Sequence, residues 1–300
     1  MTISRKLTNN AIQDSTGDRI FLLAVTIITF TLLCIVLYPL IFVFSASLSS
    51  GDAVMAGRVF LWPVDFSLEG YRLVFEDANI MRGFRNTVLY ATLGTSINIV
   101  MTTLIAFPLS RKQLPARRTI MFFVTFTMLF SGGMIPTFLV VERLGMIDTI
   151  WAMVIPGAIS TFNLIIMRTY FEESLPDELY ESASIDGCSN LRFLLAIAIP
   201  LSKAVIAVLV LFYAVGHWNQ FFLALLYLRS SELINLQLVL RNILMANQIA
   251  AVGDGFGEMA RINLSVRYAV IIFSIVPVFI LYPFIQKYFT KGVMIGAIKG

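Results

Sequence analysis

The stretch IFLLAVTIITFTLLCIVLYPLIFVF, residues 20–44, decides what kind of protein this is. It passes without one charged side chain, and about 20 helical residues are enough to cross a hydrocarbon core. Its apolar character is continuous and does not alternate as a barrel strand does. A helix is therefore expected, because lipid offers backbone N–H and C=O groups no partner outside the chain. The preceding residues 1–19 are polar and carry Arg5, Lys6 and Arg19. With no small-residue cleavage pattern behind it, the stretch reads as an anchor and not as a cleaved signal peptide.

Working outward, five further apolar stretches of similar length lie at 86–110, 119–141, 149–167, 204–227 and 268–286, and every Lys, Arg, Asp and Glu falls outside all six. The composition agrees: 58% hydrophobic and 13% charged residues leave too few charges for a water-facing surface. The expectation is an all-α, multi-pass membrane protein with six transmembrane helices. All six lysines (Lys6, Lys112, Lys203, Lys287, Lys291, Lys299) fall in the segments 1–19, 111–118, 168–203 and 287–300. By the positive-inside rule those segments are cytoplasmic, and so are both termini. Segments 1–19 and 287–300 are then cytoplasmic ends, 20–44 is the first transmembrane helix, 45–85 is an extracytoplasmic loop, and 86–286 holds the other five helices. The basic residues form no stripe, so no nucleic-acid partner is expected.

The inner loop 168–203 has a helical design of its own. Ser174-Leu175-Pro176-Asp177-Glu178 reads as a helix start, with proline in the first turn and acids at the positive end of the dipole. Gly187 is placed to end that helix in a left-handed conformation. Ser189 or Asn190 is placed to cap a second short helix carrying Leu191, Phe193, Leu194 and Ile197, which Pro200 stops before the fifth span.

Within this loop, Glu181-Ser182-Ala183, three residues, Gly187, nine residues and Ile197-Ala198-Ile199-Pro200 closely resemble the EAA motif of ATP-binding-cassette (ABC) importer permeases. The motif's usual Asp-Gly pair is present as Asp186-Gly187, with Ser182 in place of Ala and Ile199 in place of Leu. Leu175 to Glu181 and the tail Tyr288-Phe289-Thr290-Lys291-Gly292 through Lys299-Gly300 are similar to the maltose-type carbohydrate permeases of the MalG group. Phe130-Ser131-Gly132-Gly133-Met134-Ile135-Pro136 resembles its LplC and YtcP branch, linked to oligosaccharides from polysaccharides such as pectin or alginate.

The resemblance implies a type I importer permease domain over 86–286, with 172–200 as the loop that couples it to an ATPase. Glu178, Glu181, Ser182, Ala183, Asp186, Gly187, Ile197 and Pro200 are the implied coupling residues, and Lys291, Gly292, Lys299 and Gly300 the implied tail contacts. Implied partners are a second homologous permease, two ABC ATPase subunits and an extracytoplasmic solute-binding protein, in the cell (inner) membrane. No Gly-x4-Gly-Lys-Ser/Thr loop occurs in the sequence, so ATP and Mg are expected on the partner ATPases and no cofactor on this chain. This chain is then a non-catalytic subunit. Two cysteines and one histidine make a metal site unexpected.

The polar residues at membrane depth have two readings. Tyr213, His217, Trp218, Asn219 and Gln220 in the fifth span, with Asn163 in the fourth, suit a sugar path built from aromatic faces and amides. The same residue types also serve as hydrogen bonds between packed helices. Pro39, Pro108, Pro136, Pro156 and Pro277 sit within spans, where each removes a backbone hydrogen bond. Gly253-Asp254-Gly255-Phe256-Gly257 reads as a turn. Rival functions are an ABC permease for a non-sugar solute, a secondary carrier and a membrane-embedded enzyme. The absence of Lys, Arg, Asp and Glu from every span counts against the carrier.

Overall fold

The computed structural model describes residues 15–252 and 258–297, and over these the chain is almost wholly helical. Helix α1 (Thr16–Ser47) opens on a capping box, in which the Ser15 hydroxyl accepts from the Asp18 N–H while the Asp18 carboxylate takes the Ser15 N–H. Its side chains are exposed from the first turn to Leu40. An apolar rod left uncovered by the other described residues as far as Leu40 is stable only in lipid or beside another apolar helix. Two of its exposed hydroxyls are satisfied within the helix: Thr26 and Thr31 donate to the carbonyls of Leu22 and Ile27, each four residues back.

Short helices α2 (Gly51–Met55) and α3 (Glu69–Glu76) lead to α4 (Ala78–Ser110), which Asp77 caps by accepting from the N–H groups of Asn79 and Ile80. Helix α4 is the central post. Its buried stripe runs Ile80, Gly83, Thr87, Tyr90, Gly94, Asn98, Thr102 and Ala106, so small and hydroxyl residues let its neighbours approach closely. The chain continues through α5 (Arg117–Leu129), α6 (Met134–Arg143), α7 (Ile150–Val154) and α8 (Thr161–Ser174). Next come α9 (Asp177–Ile185) and α10 (Asn190–Phe193), which runs through a π turn at Leu194–Ala198 into α11 (Ile199–Leu201). Helices α12 (Lys203–Trp218), α13 (Phe222–Tyr227), α14 (Leu236–Val252) and α15 (Glu258–Ala297) complete the fold. Helices α8, α12 and α14 pack on α4, while α15 packs against α1, α2, α3, α12 and α14.

Two of the six expected spans are single long helices, and a third lies inside one, as Leu264–Pro283 of α15. The other three are broken into shorter helices. Span 119–141 is divided between α5 and α6, whose axes differ by 111°. Phe130 leaves the helix in an extended conformation there, and Gly133 takes φ +86°, which side-chain-bearing residues rarely adopt. Span 149–167 is interrupted between α7 and α8 at Pro156 and Gly157. Span 204–227 stops at Trp218 and restarts at Phe222. Among the described residues, three helices are long and apolar enough to cross a membrane, or up to five when each of two bent pairs is taken as one span.

The break at Pro156 has a physical remedy. An interrupted helix at membrane depth leaves backbone groups in need of partners. The Asn98 amide donates to the Gly157 carbonyl at 2.8 Å, and the Ser160 N–H donates to the Tyr213 hydroxyl at 3.2 Å. Helices α4 and α12 thus supply what the fourth span lacks.

Candidate functional site

The loop between α8 and α12 folds into two short helices, as its sequence suggests. Asp177 and Glu178 occupy the first turn of α9. The helix ends in a Schellman turn: the Cys188 N–H reaches the Ala183 carbonyl at 2.9 Å, the Gly187 N–H reaches that of Ser184 at 3.0 Å, and Gly187 takes φ +75°. Ser189, and not Asn190, is the cap of α10, its hydroxyl accepting from the Arg192 N–H.

The second helix runs through the π turn and ends at Leu201, one residue past Pro200. The axis changes at Ser202, just before α12, where Asn190–Leu201 and Lys203–Trp218 meet at 84°.

The inner faces of both helices are anchored. Tyr180 donates from its hydroxyl to Asn190 Oδ1 at 2.5 Å, tying α9 to α10, and its ring meets Phe193 edge-on at 5.2 Å. Phe193 is buried and stacks on Phe107 of α4 at 5.9 Å. Arg111, the residue that ends α4, sits among these rings. Its guanidinium carbon lies 5.0 Å from the centroids of Phe107 and Tyr180 and 5.3 Å from that of Phe193. Burial lowers its basicity, with the nearby Asp177 carboxylate partly offsetting the effect.

A second set of charges fixes the base of the loop. Lys112 pairs with Asp177 at 2.9 Å, which raises the lysine and lowers the carboxylate from their ordinary values. Glu172 accepts from both Arg117 and Arg168, and both arginines donate through Nε to the Leu109 carbonyl, at 2.8 and 3.1 Å. Two cations on a carbonyl of the last turn of α4 also meet the negative end of that helix dipole.

The outer face, by contrast, is free. Glu178, Glu181, Ser182 and Asp186 are all exposed, Ala183 and Ile197 are half-buried, and Ile185 is 87% exposed at the tip of α9. The element that presents this isoleucine so fully is held firmly from behind.

The candidate path residues do not share one surface. His217 is buried, with Nε2 2.6 Å from Asn98 Oδ1 and Nδ1 3.3 Å from Gln220 Oε1. Tyr213 is buried and shares a hydrogen bond with Thr102 at 2.7 Å. Trp218 is buried and donates to the Ser274 carbonyl at 2.9 Å. Asn163 is buried near the start of α8, and Gln220 is half-buried. Asn219 alone of this group is exposed, at the C-cap of α12. Asn98, Thr102 and Arg111 belong to these networks and were not singled out from the sequence. Two polar residues one helical turn apart in an apolar span were the available signal for Asn98 and Thr102.

Of the expected tail contacts, Lys291 and Gly292 lie within α15. Lys299 and Gly300 lie outside the described residues, as does the glycine-rich turn 253–257.

Comparison with known proteins agrees with this geometry. Residues 11–295 match the family described as "Binding-protein-dependent transport system inner membrane component". The chain is 40% identical over 279 residues to the polygalacturonan/rhamnogalacturonan transport system permease protein YtcP of Bacillus subtilis (strain 168), covering 91% of this chain and 96% of that one. It is also 40% identical over 267 residues to protein LplC of the same organism, covering 89% and 90%. Among solved structures it is similar to a chain of a bacterial ABC transporter involved in the import of the acidic polysaccharide alginate. The TM-score is 0.85 at 36% identity, over 92% of this chain and 99% of that one. With the family matched over nearly the whole length and the relatives aligned end to end, this chain belongs to the inner membrane permeases of binding-protein-dependent transport systems.

Proposed function

We propose that this chain forms one half of the translocation path of an ATP-driven importer for acidic, uronate-containing oligosaccharides. The observation that carries the importer reading is the coupling element itself: α9, the Gly187 turn and α10, anchored to α4 by Arg111, Phe107 and Phe193 and presenting Ile185 outward. Such an element transmits force, because its base is rigid and its tip is free. Glu178, Glu181, Ser182, Ala183, Asp186 and Gly187 form the face offered to an ATPase subunit, with Glu181 free to pair with a basic residue of the cleft it enters. Ile197 and Pro200 carry the movement to α12. The tail residues Lys291, Gly292, Lys299 and Gly300 are assigned to the same ATPase surface.

The rest of the assembly follows from the family. A second permease completes the path, two ATPases bind the ATP and Mg, and a solute-binding protein delivers the sugar from outside. Six membrane crossings with both termini cytoplasmic fit the lysine distribution, with α5/α6, α7/α8 and α12/α13 each counted as one crossing. This chain does no chemistry on its substrate. Asn219, exposed beside the buried His217 network, is the residue placed to touch sugar; Asn163, Tyr213, His217, Trp218 and Gln220 shape the wall behind it. The substrate class rests on the names of the similar proteins, which handle pectin-type and alginate polysaccharides.

Uptake by the assembled importer in proteoliposomes, with its binding protein present, tests this reading. ATP-dependent entry of labelled galacturonate or alginate oligosaccharides, in preference to neutral maltodextrin, is the expected result. Preference for the neutral glucan would overturn the substrate class, and uptake that continues without ATP would overturn the importer.

A further inference from the structure

The ring cage around Arg111 opens on one side into a groove of about 430 Å³. Leu104, Phe107 and Leu114 lie on the wall of α4 and the segment after it, while Asn190, Leu191 and Leu194 come from α10 and the π turn. The groove is mostly apolar, with a single full charge deep in it. Arg111 is only 7% exposed, and two of its nitrogens, Nε and Nη2, have no hydrogen-bond partner among the described residues. The nearby acid, Asp177, already accepts from Lys112 Nζ at 2.9 Å. Three aromatic faces offset part of the cost of burying a cation but accept no N–H hydrogen bond in its plane. The guanidinium is therefore left with two in-plane donors that are unpaired and closed to solvent, a buried charge that an anion entering the groove would offset.

Position selects the kind of anion. The groove lies at the end of α4, where the chain leaves the apolar span for the basic segment 111–118. Its rim carries exposed leucines, Leu104 at 46% and Leu191 at 59%. Two leucines presented outward beside a buried cation match an acyl chain beside its headgroup. A free anion needs no such apolar rim. We infer that the Arg111 groove binds an anionic phospholipid of the inner leaflet, with the headgroup phosphodiester facing the Arg111 guanidinium and an acyl chain along Leu104 and Leu191. The groove is floored by Phe107, Tyr180 and Phe193, the contacts that hold the coupling helices to α4. A bound lipid therefore sets the stiffness of the coupling element. This inference rests on the membrane orientation proposed above, but not on the identity of the sugar.

The test uses the assembled importer in nanodiscs containing a diazirine-bearing phosphatidylglycerol or the matching phosphatidylcholine. After photolysis, labelled peptides are mapped by mass spectrometry. Phosphatidylglycerol should label residues 104–115 and 190–194 about fivefold more than phosphatidylcholine, the factor expected for one well-placed cation. Excess inorganic phosphate should leave that labelling unchanged. Arg111→Gln should remove the preference, while Arg111→Lys retains part of it and Arg192→Gln, an exposed neighbour, leaves it intact. Because the first comparison is made on the wild-type protein, a variant that folds poorly does not blunt it. Equal labelling by the two lipids overturns the inference. Competition by inorganic phosphate overturns the lipid in favour of a free anion. Absence of label in the assembled importer, with label on the permease alone, overturns it in favour of a partner subunit covering the groove. The sugar selectivity of transport does not enter the readout, so this inference and the substrate reading can fail separately.

Discussion

His217 Nε2 stands 2.6 Å from Asn98 Oδ1, and this contact joins α12 to α4 at the depth where the fourth span is broken. The same Asn98 side chain donates to the Gly157 carbonyl, so one amide links three segments that are far apart in sequence. The close approach is possible because Gly94 has no side chain: a Cβ there would come within 2.4 Å of the His217 ring.

Gly94→Ala should therefore force α12 away from α4. The expected loss is about 1–3 kcal/mol, the usual cost of overpacking a close-packed site. Thermal unfolding in detergent checks the magnitude. The double variant Gly94→Ala/His217→Ala should recover part of the loss, because it removes the ring that the new methyl meets.

Gly187 holds φ +75° at the turn between α9 and α10. Gly187→Ala should cost about 1–2 kcal/mol, since a left-handed conformation brings a Cβ against the carbonyl. No neighbouring atom lies within 4 Å of the added Cβ, so the strain is confined to the backbone. ATP hydrolysis by the assembled importer should become less dependent on the loaded binding protein, as measured by the ratio of stimulated to basal rates. Gly187→Asn should be milder.

Glu172 accepts from Arg117 and Arg168 while both arginines hold the Leu109 carbonyl. Glu172→Gln leaves two half-buried cations without their anion, an expected loss of about 1–3 kcal/mol. Hydrogen exchange should quicken at residues 110–118 and 168–176, with little change on the opposite face of the molecule.

Asp148 ties the turn before α7 to the segment after α13. It accepts from the N–H groups of Arg229 and Ser230, at 2.8 and 2.9 Å, and from the Ser230 hydroxyl. The Ser230 hydrogen bonds, hydroxyl first and then backbone, hold its carboxyl below the usual aspartate range. A carboxylate with a depressed folded value stabilises above its unfolded value, near about 3.9, and that contribution is lost as pH falls through the depressed one. Asp148→Asn should lower the melting temperature at neutral pH, and the gap from wild type should close in acid.

How much of this was legible in the sequence varies with the distance over which each feature is built. The coupling loop was legible because its signals are local: the acids at 177 and 178, the glycine at 187 and the serine at 189 each act within a turn or two of themselves. The broken spans were legible only in part: Pro156 marks one break, but hydropathy averaged over about 20 residues passes smoothly across Phe130–Gly133. The Arg111 cage could not be read at all, since it gathers Phe107, Tyr180 and Phe193 from segments tens of residues apart, and no periodicity records such a meeting. The residues of 213–220 were found as a polar cluster. Their partners Asn98 and Thr102 were hidden in the apolar second span.

The measurement that tests the central claim most directly is recovery of the ATPase subunit with the tagged permease, comparing wild type with Ile185→Asp. Ile185 is 87% exposed and takes no part in the anchored face of the loop, so the substitution spares the fold and alters only the tip of α9. The coupling account expects the wild-type chain to carry the ATPase through purification and the variant to lose most of it, while the variant keeps its melting temperature. Equal recovery of the ATPase with both chains would contradict the account and would place the ATPase contact somewhere other than α9.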